Sequence, residues 1–251
     1  MYQTFGWRNY QFHDTHCGTE GGEPIYGKSV SFAGKPSGGA DLGTGWEFTQ
    51  EGASASDWNF KFEYPQGGVP TLTLKDAKLI NAYEGNKPMY KDGASTGTWT
   101  GVQPRNMVID LRIVLQGQNE IRVANGIVRG AGSAANKFNS VKIVGEEGSS
   151  LIGSGHAVGI QGRYGVPFTF ENVNLNLTTN STSATAAPIY TEDANITIIN
   201  SNLKLTSTNS KGTAINAIHA NGSGLINVVN SDLELTSTGT VFNKAPQLAE
   251  G

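Results

Sequence analysis

Three stretches of the chain obey one rule. Residues 168–178 read FTFENVNLNLT, 196–208 read ITIINSNLKLTST, and 226–238 read INVVNSDLELTST. The shared rule is apolar, any, apolar, any, Asn, any, any, Leu, any, Leu. Alternation of this kind is the period of a β-strand, so each copy encodes two short strands separated by a turn. Weaker copies lie upstream: Val141 and Ile143 with Gly145 and Leu151, Ile113 and Leu115 with Gly117, Ile121 and Val123, and Leu72 and Leu74 with Asp76 and Leu79. The turn positions are therefore Asp76, Gly117, Gly145, Asn172, Asn200 and Asn230, at intervals of 41, 28, 27, 28 and 30 residues. The long first interval predicts an insertion near Tyr83 to Gly101.

A third apolar segment follows each pair: Ile127 with Val128, Val158 with Ile160, Ile189, Ile215 with Ile218, and Val241. Three short strands cannot bury a core alone. Stacked copies can, because each strand then pairs in parallel with its counterpart one turn away and the inward residues form continuous columns. The expectation is an all-β fold, a right-handed parallel β-helix (a solenoid) of about six three-strand coils. A β-propeller needs roughly 40 to 50 residues per unit and fits the period poorly. Asn, Gly and Asp at the turns suit left-handed backbone angles, and Asn172, Asn200 and Asn230 are expected to stack with their side-chain amides bonded to neighbouring coils.

The ends depart from the rule. Residues 1–60 show no repeat, and the first 100 residues hold 16 of the 22 aromatics. A solenoid must blunt its open edge, so 1–60 is expected to be an aromatic N-terminal cap, 61–243 the β-helix, and 244–251 a linker or tail. No comparable segment closes the end after Phe242, which leaves an oligomer partner or further coils to cover it. Met1 to Tyr10 lack the basic start and apolar stretch of a signal peptide. Either a cytoplasmic protein or an excerpt of a longer exported chain fits, and the excerpt reading is preferred.

Composition removes several functions. The net charge is -3, with 18 Lys plus Arg against 21 Asp plus Glu, and there is no basic stripe for nucleic acid. No apolar run is long enough to span a membrane. One cysteine excludes an internal disulfide framework. Gly22 to Ser29 spells a phosphate-binding loop, yet no strand precedes it and Gly34 and Pro36 break any helix after it.

The coil rule with stacked Asn turns resembles right-handed β-helix proteins of the pectate-lyase-like superfamily. Residues 58–65, WNFKFEYP, followed by 70–74, PTLTL, are similar to the carbohydrate-binding domain-containing surface proteins of gut anaerobic bacteria. The resemblance covers about residues 45–242. It implies an extracellular or cell-surface location and a polysaccharide or glycan partner, in some members a uronate polymer with calcium. It also raises a polysaccharide lyase or glycoside hydrolase as the alternative, in which carboxylates hold calcium and a nearby Arg or Lys takes the proton.

The residues that such chemistry would use are sparse. Glu146, Glu147, Glu171, Glu192, Asp193, Asp232 and Glu234 fall at different coil positions, whereas calcium wants six to eight oxygens. Glu192 and Asp193 are the candidate calcium site, with carbonyls of their own turn; a solvated turn is the plainer reading. His156 and Arg163 resemble the Gly-His and Arg elements of β-helix polygalacturonases, but the paired acids that hydrolysis requires are missing. His13, His16 and Cys17 could hold zinc, though no second ligand pair follows. Sugar rings stack on aromatics, and Trp99, Tyr83 and Tyr90 in the insertion, with Tyr164 and Tyr190 near the third strand, are the candidates. Outward residues Asn176, Lys204 and Glu234 differ in charge and form no uniform ladder. The reading is a non-catalytic extracellular module that binds a polysaccharide or acts as an adhesin. A lyase or hydrolase, or a purely structural stalk, stands as the alternative.

Overall fold

A computed structural model describes residues 68–80, 100–105, 108–123, 126–155, 159–180, 187–209 and 215–249, with short strands at 19–20, 23–24, 29–32, 46–47, 60–63, 83–84 and 87–88. These residues form β-structure with no helix. The strands stack into three long sheets that run along one axis, and successive members of each sheet come from successive repeats.

Sheet one collects the first strand of each repeat: Thr71–Lys75, Val108–Gln116, Asn136–Gly145, Phe168–Glu171, Ile196–Ile199 and Ile226–Val229. Sheet two collects the second strands, Lys78–Ile80, Gln118–Val123, Ser150–Gly155, Asn174–Asn180, Asn202–Thr208 and Asp232–Ser237. Sheet three collects Thr100–Arg105, Gly126–Arg129, Ile160–Gly162, Ile189–Glu192 and Ile218–Asn221. The pairing between repeats is parallel and in register: Phe168 opposes Ile196, which opposes Ile226, and Leu175 opposes Leu203, which opposes Leu233. The chain is a parallel β-solenoid, compatible with the expected right-handed coil. About four turns are complete in all three sheets, within 108–129, 136–162, 168–192 and 196–221, with partial turns at either end.

Register carries the core. Residues alternate across each strand, so equivalent apolar positions fall into columns inside the coil. Leu72, Ile113, Ile143, Phe170, Ile198 and Val228 form one such column, and Leu177 with Leu205 part of another. The interior residues of the complete turns are essentially solvent-free, whereas Leu233 and Leu235 of the last turn are only half-buried. Beyond them Gln247–Ala249, expected to belong to a tail, adds one more parallel strand to Ile226–Val229. At the other end Phe60–Glu63, Trp46–Glu47 and Ser29–Phe32 pair antiparallel with the first strands of the three sheets. The aromatic packing expected of an N-terminal cap lies outside the described residues.

Five of the six expected turn residues have a left-handed backbone: Asp76, Gly117, Asn172, Asn200 and Asn230, with φ between 45° and 61°. They pile up as the period requires. The backbone N–H of Asn172 donates to the Ile199 carbonyl at 3.1 Å, and that of Asn200 to the Val229 carbonyl at 3.0 Å; these are main-chain bonds, not the side-chain bonds expected of the stacked asparagines. The exception is Gly145, which continues its strand. A small insertion follows it, and the left-handed residue there is Gly148, at φ 72°. Gly145 is glycine for a different reason: a Cβ there would collide with the Asn172 carbonyl oxygen of the next coil. Side-chain bonds between coils also fall slightly downstream of the turn asparagines. Asn202 Nδ2 donates to Asn174 Oδ1 at 3.0 Å, Ser201 Oγ accepts the Val173 amide, and Ser231 Oγ accepts the Ser201 amide.

The left-handed turn yields a direct test. Asn200→Ala should cost about 1–2 kcal/mol, the usual penalty for a Cβ-bearing residue in that region, whereas Asn200→Gly should be tolerated. Urea midpoints of the two variants check the order, and an Ala variant as stable as the Gly variant would refute it.

Candidate functional site

The second strands turn their Leu residues inward, so the residues between the leucines face out. Four successive strands place Ser150 and Ile152, Asn174 and Asn176, Asn202 and Lys204, and Asp232 and Glu234 side by side on the surface of sheet two. Neighbouring strands in a sheet lie about 4.8 Å apart, so these groups repeat at that step along the axis. They line an open groove of about 560 Å³. Ile152 gives it an exposed apolar spot, with 41% of the residue accessible. Asn174 Nδ2 donates to the Ser149 carbonyl at 3.1 Å and its Oδ1 accepts from Asn202, which holds both amides in place. Lys204 Nζ lies 2.6 Å from Glu234 Oε1. The pair is largely exposed and therefore weak in water. With Asp232 beside it, the groove carries more acid than base at that end.

Asn176, Lys204 and Glu234, expected from the repeat to be equivalent outward positions, do oppose one another in register, and they differ in charge as expected. The groove needs no uniform ladder. It arises from stacking four different pairs on one face, and the only sequence signal for it is the identity of the residues flanking each Leu.

The aromatic candidates are not in the groove. Trp99 and Tyr90 lie outside the described residues. Tyr83 contributes backbone to a small antiparallel pair, Tyr83–Glu84 with Lys87–Pro88, within the expected insertion, and its side chain is outside the described set. Tyr190 sits on the outward row of sheet three between Gln161 and His219. It is only 7% accessible, and its ring packs against the His219 imidazole at 5.3 Å between centroids, so it offers no open face to a sugar.

Tyr164 is exposed, in a left-handed conformation at φ 57°, at the turn leaving sheet three. Here several charged groups meet. The Arg163 guanidinium lies over the Tyr164 ring, 5.5 Å from its centre, and 3.7 Å from Glu192 Oε2. The Tyr164 amide also faces that oxygen at 3.5 Å, and Lys137 Nζ donates to the Tyr164 carbonyl at 2.7 Å. Glu192 is thus engaged by Arg163. Asp193, also left-handed, accepts the Ser223 amide on Oδ1 at 3.2 Å. The two carboxylates expected to share a calcium ion have separate partners. Among the described residues no three His, Cys, Asp or Glu side chains gather as a metal site would require. His156 and the cluster from His13 to Cys17 lie outside the described residues, and Arg163 is the member of the former pair that can be placed.

Arg129 completes this corner. It opposes Gln161 one coil on, two residues before Arg163. Burial, and then the adjacent Arg163 charge, push its pKa below the ordinary guanidinium range. Its Nε is buried without a hydrogen-bond partner among the described residues.

The fold puts the chain in the class of parallel β-solenoids. No protein-family model matches the chain, and no curated protein or solved structure matches it either. Among the described residues no helix is long and apolar enough to cross a membrane.

His219 supplies a pH test. Burial, and then the Lys244 ammonium, lower its pKa, while its Nδ1 faces Asn216 Oδ1 at 3.0 Å. Above about 6.5 the imidazole is neutral in the folded and unfolded chain alike. As pH falls below that value the unfolded chain takes the proton first, so this group removes stability until the folded-state pKa is passed. Urea midpoints should therefore fall more steeply on acidification through this window for the wild type than for His219→Gln. Parallel curves would show that the histidine is not responsible.

Proposed function

We propose that this chain is a non-catalytic glycan-binding module and that the sheet-two groove is where the sugar chain lies. The observation that carries the reading is the groove itself: three amides, a hydroxyl, an ammonium, two carboxylates and one apolar side chain lie along an open face built from four adjacent strands. A linear polysaccharide presents hydroxyls and apolar ring edges at a regular step, and a concave face with a few fixed polar groups is what orients such a ligand. Three of the four strands beneath the groove are hydrogen-bonded on both sides, and Asp232–Ser237 closes the sheet as its edge strand, so most of the face is held in place before a ligand arrives. The acidic bias from Asp232 and Glu234 favours a neutral sugar chain over a polyanion. The proposed extracellular or cell-surface location rests on the resemblance to exported surface proteins.

A catalytic reading has one observation in its favour, since Asp232 and Glu234 both line the groove. Hydrolysis would need one of them as acid and the other as base or nucleophile. Glu234 is instead bonded to Lys204.

A panel of neutral, anionic and amino-sugar polysaccharides, run with calcium and with chelator, tests the proposal. The expected result is retention of a neutral glycan without cleavage and without calcium dependence. The double variant Asn176→Ala with Lys204→Ala should weaken retention by about tenfold, as loss of one good polar contact would. Release of reducing ends or of unsaturated product would overturn the non-catalytic reading. Absence of retention on every glycan would leave a structural stalk.

A further inference from the structure

We propose that Arg129, Arg163 and Lys137 form a binding site for a sulfate or phosphate oxyanion at the turn between sheets three and one, separate from the groove. The site is assembled by the fold. Arg129 ends the strand Gly126–Arg129, and Arg163 follows the strand Ile160–Gly162 stacked on it. Lys137 comes from a short antiparallel excursion in which Ala131 opposes Lys137. This excursion folds back so that the Phe138 amide donates to the Gly130 carbonyl at 2.8 Å. The ammonium of Lys137 is then fixed against the Tyr164 carbonyl, next to Arg163.

Charge is out of balance at this corner. Arg129 and Arg163 stand on the outward side of adjacent coils, two register positions apart, and Lys137 reaches the carbonyl next to Arg163; Glu192 is the one carboxylate paired with them among the described residues, at 3.7 Å from Arg163 Nε. That contact is too long for a hydrogen bond. Among the described residues Arg129 has no carboxylate partner, and its buried Nε–H donates to nothing described. Arg129 is half-buried with its Nε–H enclosed; an enclosed donor left unpaired is costly, and an ion that supplies the missing acceptor is one way native structures account for it. Guanidinium groups bind tetrahedral and planar oxyanions through charge-assisted hydrogen bonds. Two guanidiniums and an ammonium around one corner match the three oxygens that a sulfate or phosphate ester leaves free. The exposed Tyr164 ring, already under Arg163, forms one wall.

The ligand chemistry has two sources, a free inorganic ion or an ester group carried on a sugar chain, and titration separates them. The full chain is titrated calorimetrically with sodium sulfate and sodium phosphate at constant ionic strength, with chloride as the balancing ion. Dextran sulfate and plain dextran are titrated beside them. The expected result is saturable binding of sulfate or phosphate. Arg129→Met should reduce affinity at least tenfold, and Lys137→Met should weaken it less. Tighter binding of dextran sulfate than of sulfate would assign the site to an ester on a polymer. Binding of the ions alone would assign it to a free oxyanion. Arg129→Met should unfold at the same or a higher urea concentration in chloride, because it removes an uncompensated charge, and it should lose the extra stability that sulfate confers on the wild type. Absence of saturable anion binding by the wild type would overturn the proposal, as would equal binding by Arg129→Met. Neither outcome bears on the groove, whose residues are untouched by these substitutions.

Discussion

Every coil of this protein depends on its neighbours to finish its backbone hydrogen bonds. A strand in a parallel sheet offers donors and acceptors on both sides, and an unpaired buried one is expensive. Here the partner of each strand is its own counterpart about one repeat away, as when the Phe168 amide meets the Asn195 carbonyl or the Ile196 amide meets the Leu225 carbonyl. The same pairing fixes side-chain register. Once Phe168, Ile196 and Ile226 are opposite one another, their interior positions coincide and the core becomes a set of continuous columns. Neither the pairing nor the burial exists for an isolated repeat, so the two are established together.

That mutual dependence explains why the architecture could be read from the chain. Parallel in-register stacking demands the same inward residue type at the same place in each repeat, so the alternation around Ile196 had to recur around Ile226. The turns are equally constrained, because a left-handed angle admits few residue types, and Asp76, Asn172, Asn200 and Asn230 all adopt it. Where the rule bent, the physics was local. The insertion after Gly145 moved the left-handed position to Gly148, and only the close approach of the Asn172 carbonyl kept Gly145 a glycine. The inter-coil side-chain bonds of Ser201 and Asn202 fall beyond the turn asparagine because both reach groups of the adjacent coil from there. Spacing alone does not reveal this.

The site was much less legible, for the same reason reversed. Outward residues are not forced to match between coils, so Asn176, Lys204 and Glu234 differ and carry no periodic signal. The repeat places them opposite one another, but that they and the neighbouring outward pairs line one groove shows only once the strands are stacked. Tyr190 shows the converse. Alternation correctly places it on the outer row of its strand, but His219 from the next coil covers its ring. Glu192 and Asp193 are adjacent in sequence, and the left-handed angle at Asp193 sends them to partners on different coils, Arg163 and Ser223.

Charge along the outside of the coil follows a similar logic of neighbours. Side chains on adjacent coils sit one strand spacing apart, close enough for opposite charges to meet and for like charges to repel. Lys142 meets Glu171 at 2.6 Å, and Lys204 meets Glu234 at the same distance, each a cation followed one coil later by a carboxylate. The corner at Arg129 breaks that alternation. The residue one coil on from Arg129 is Gln161, which is neutral, and the Arg163 charge two residues further on repels it. In a scaffold where outward residues are free to vary, such a departure is not required by folding. It lowers the stability of the coil that carries it unless something outside the coil brings the missing negative charge, which is why this corner, and not the neutralised pairs, points to a ligand.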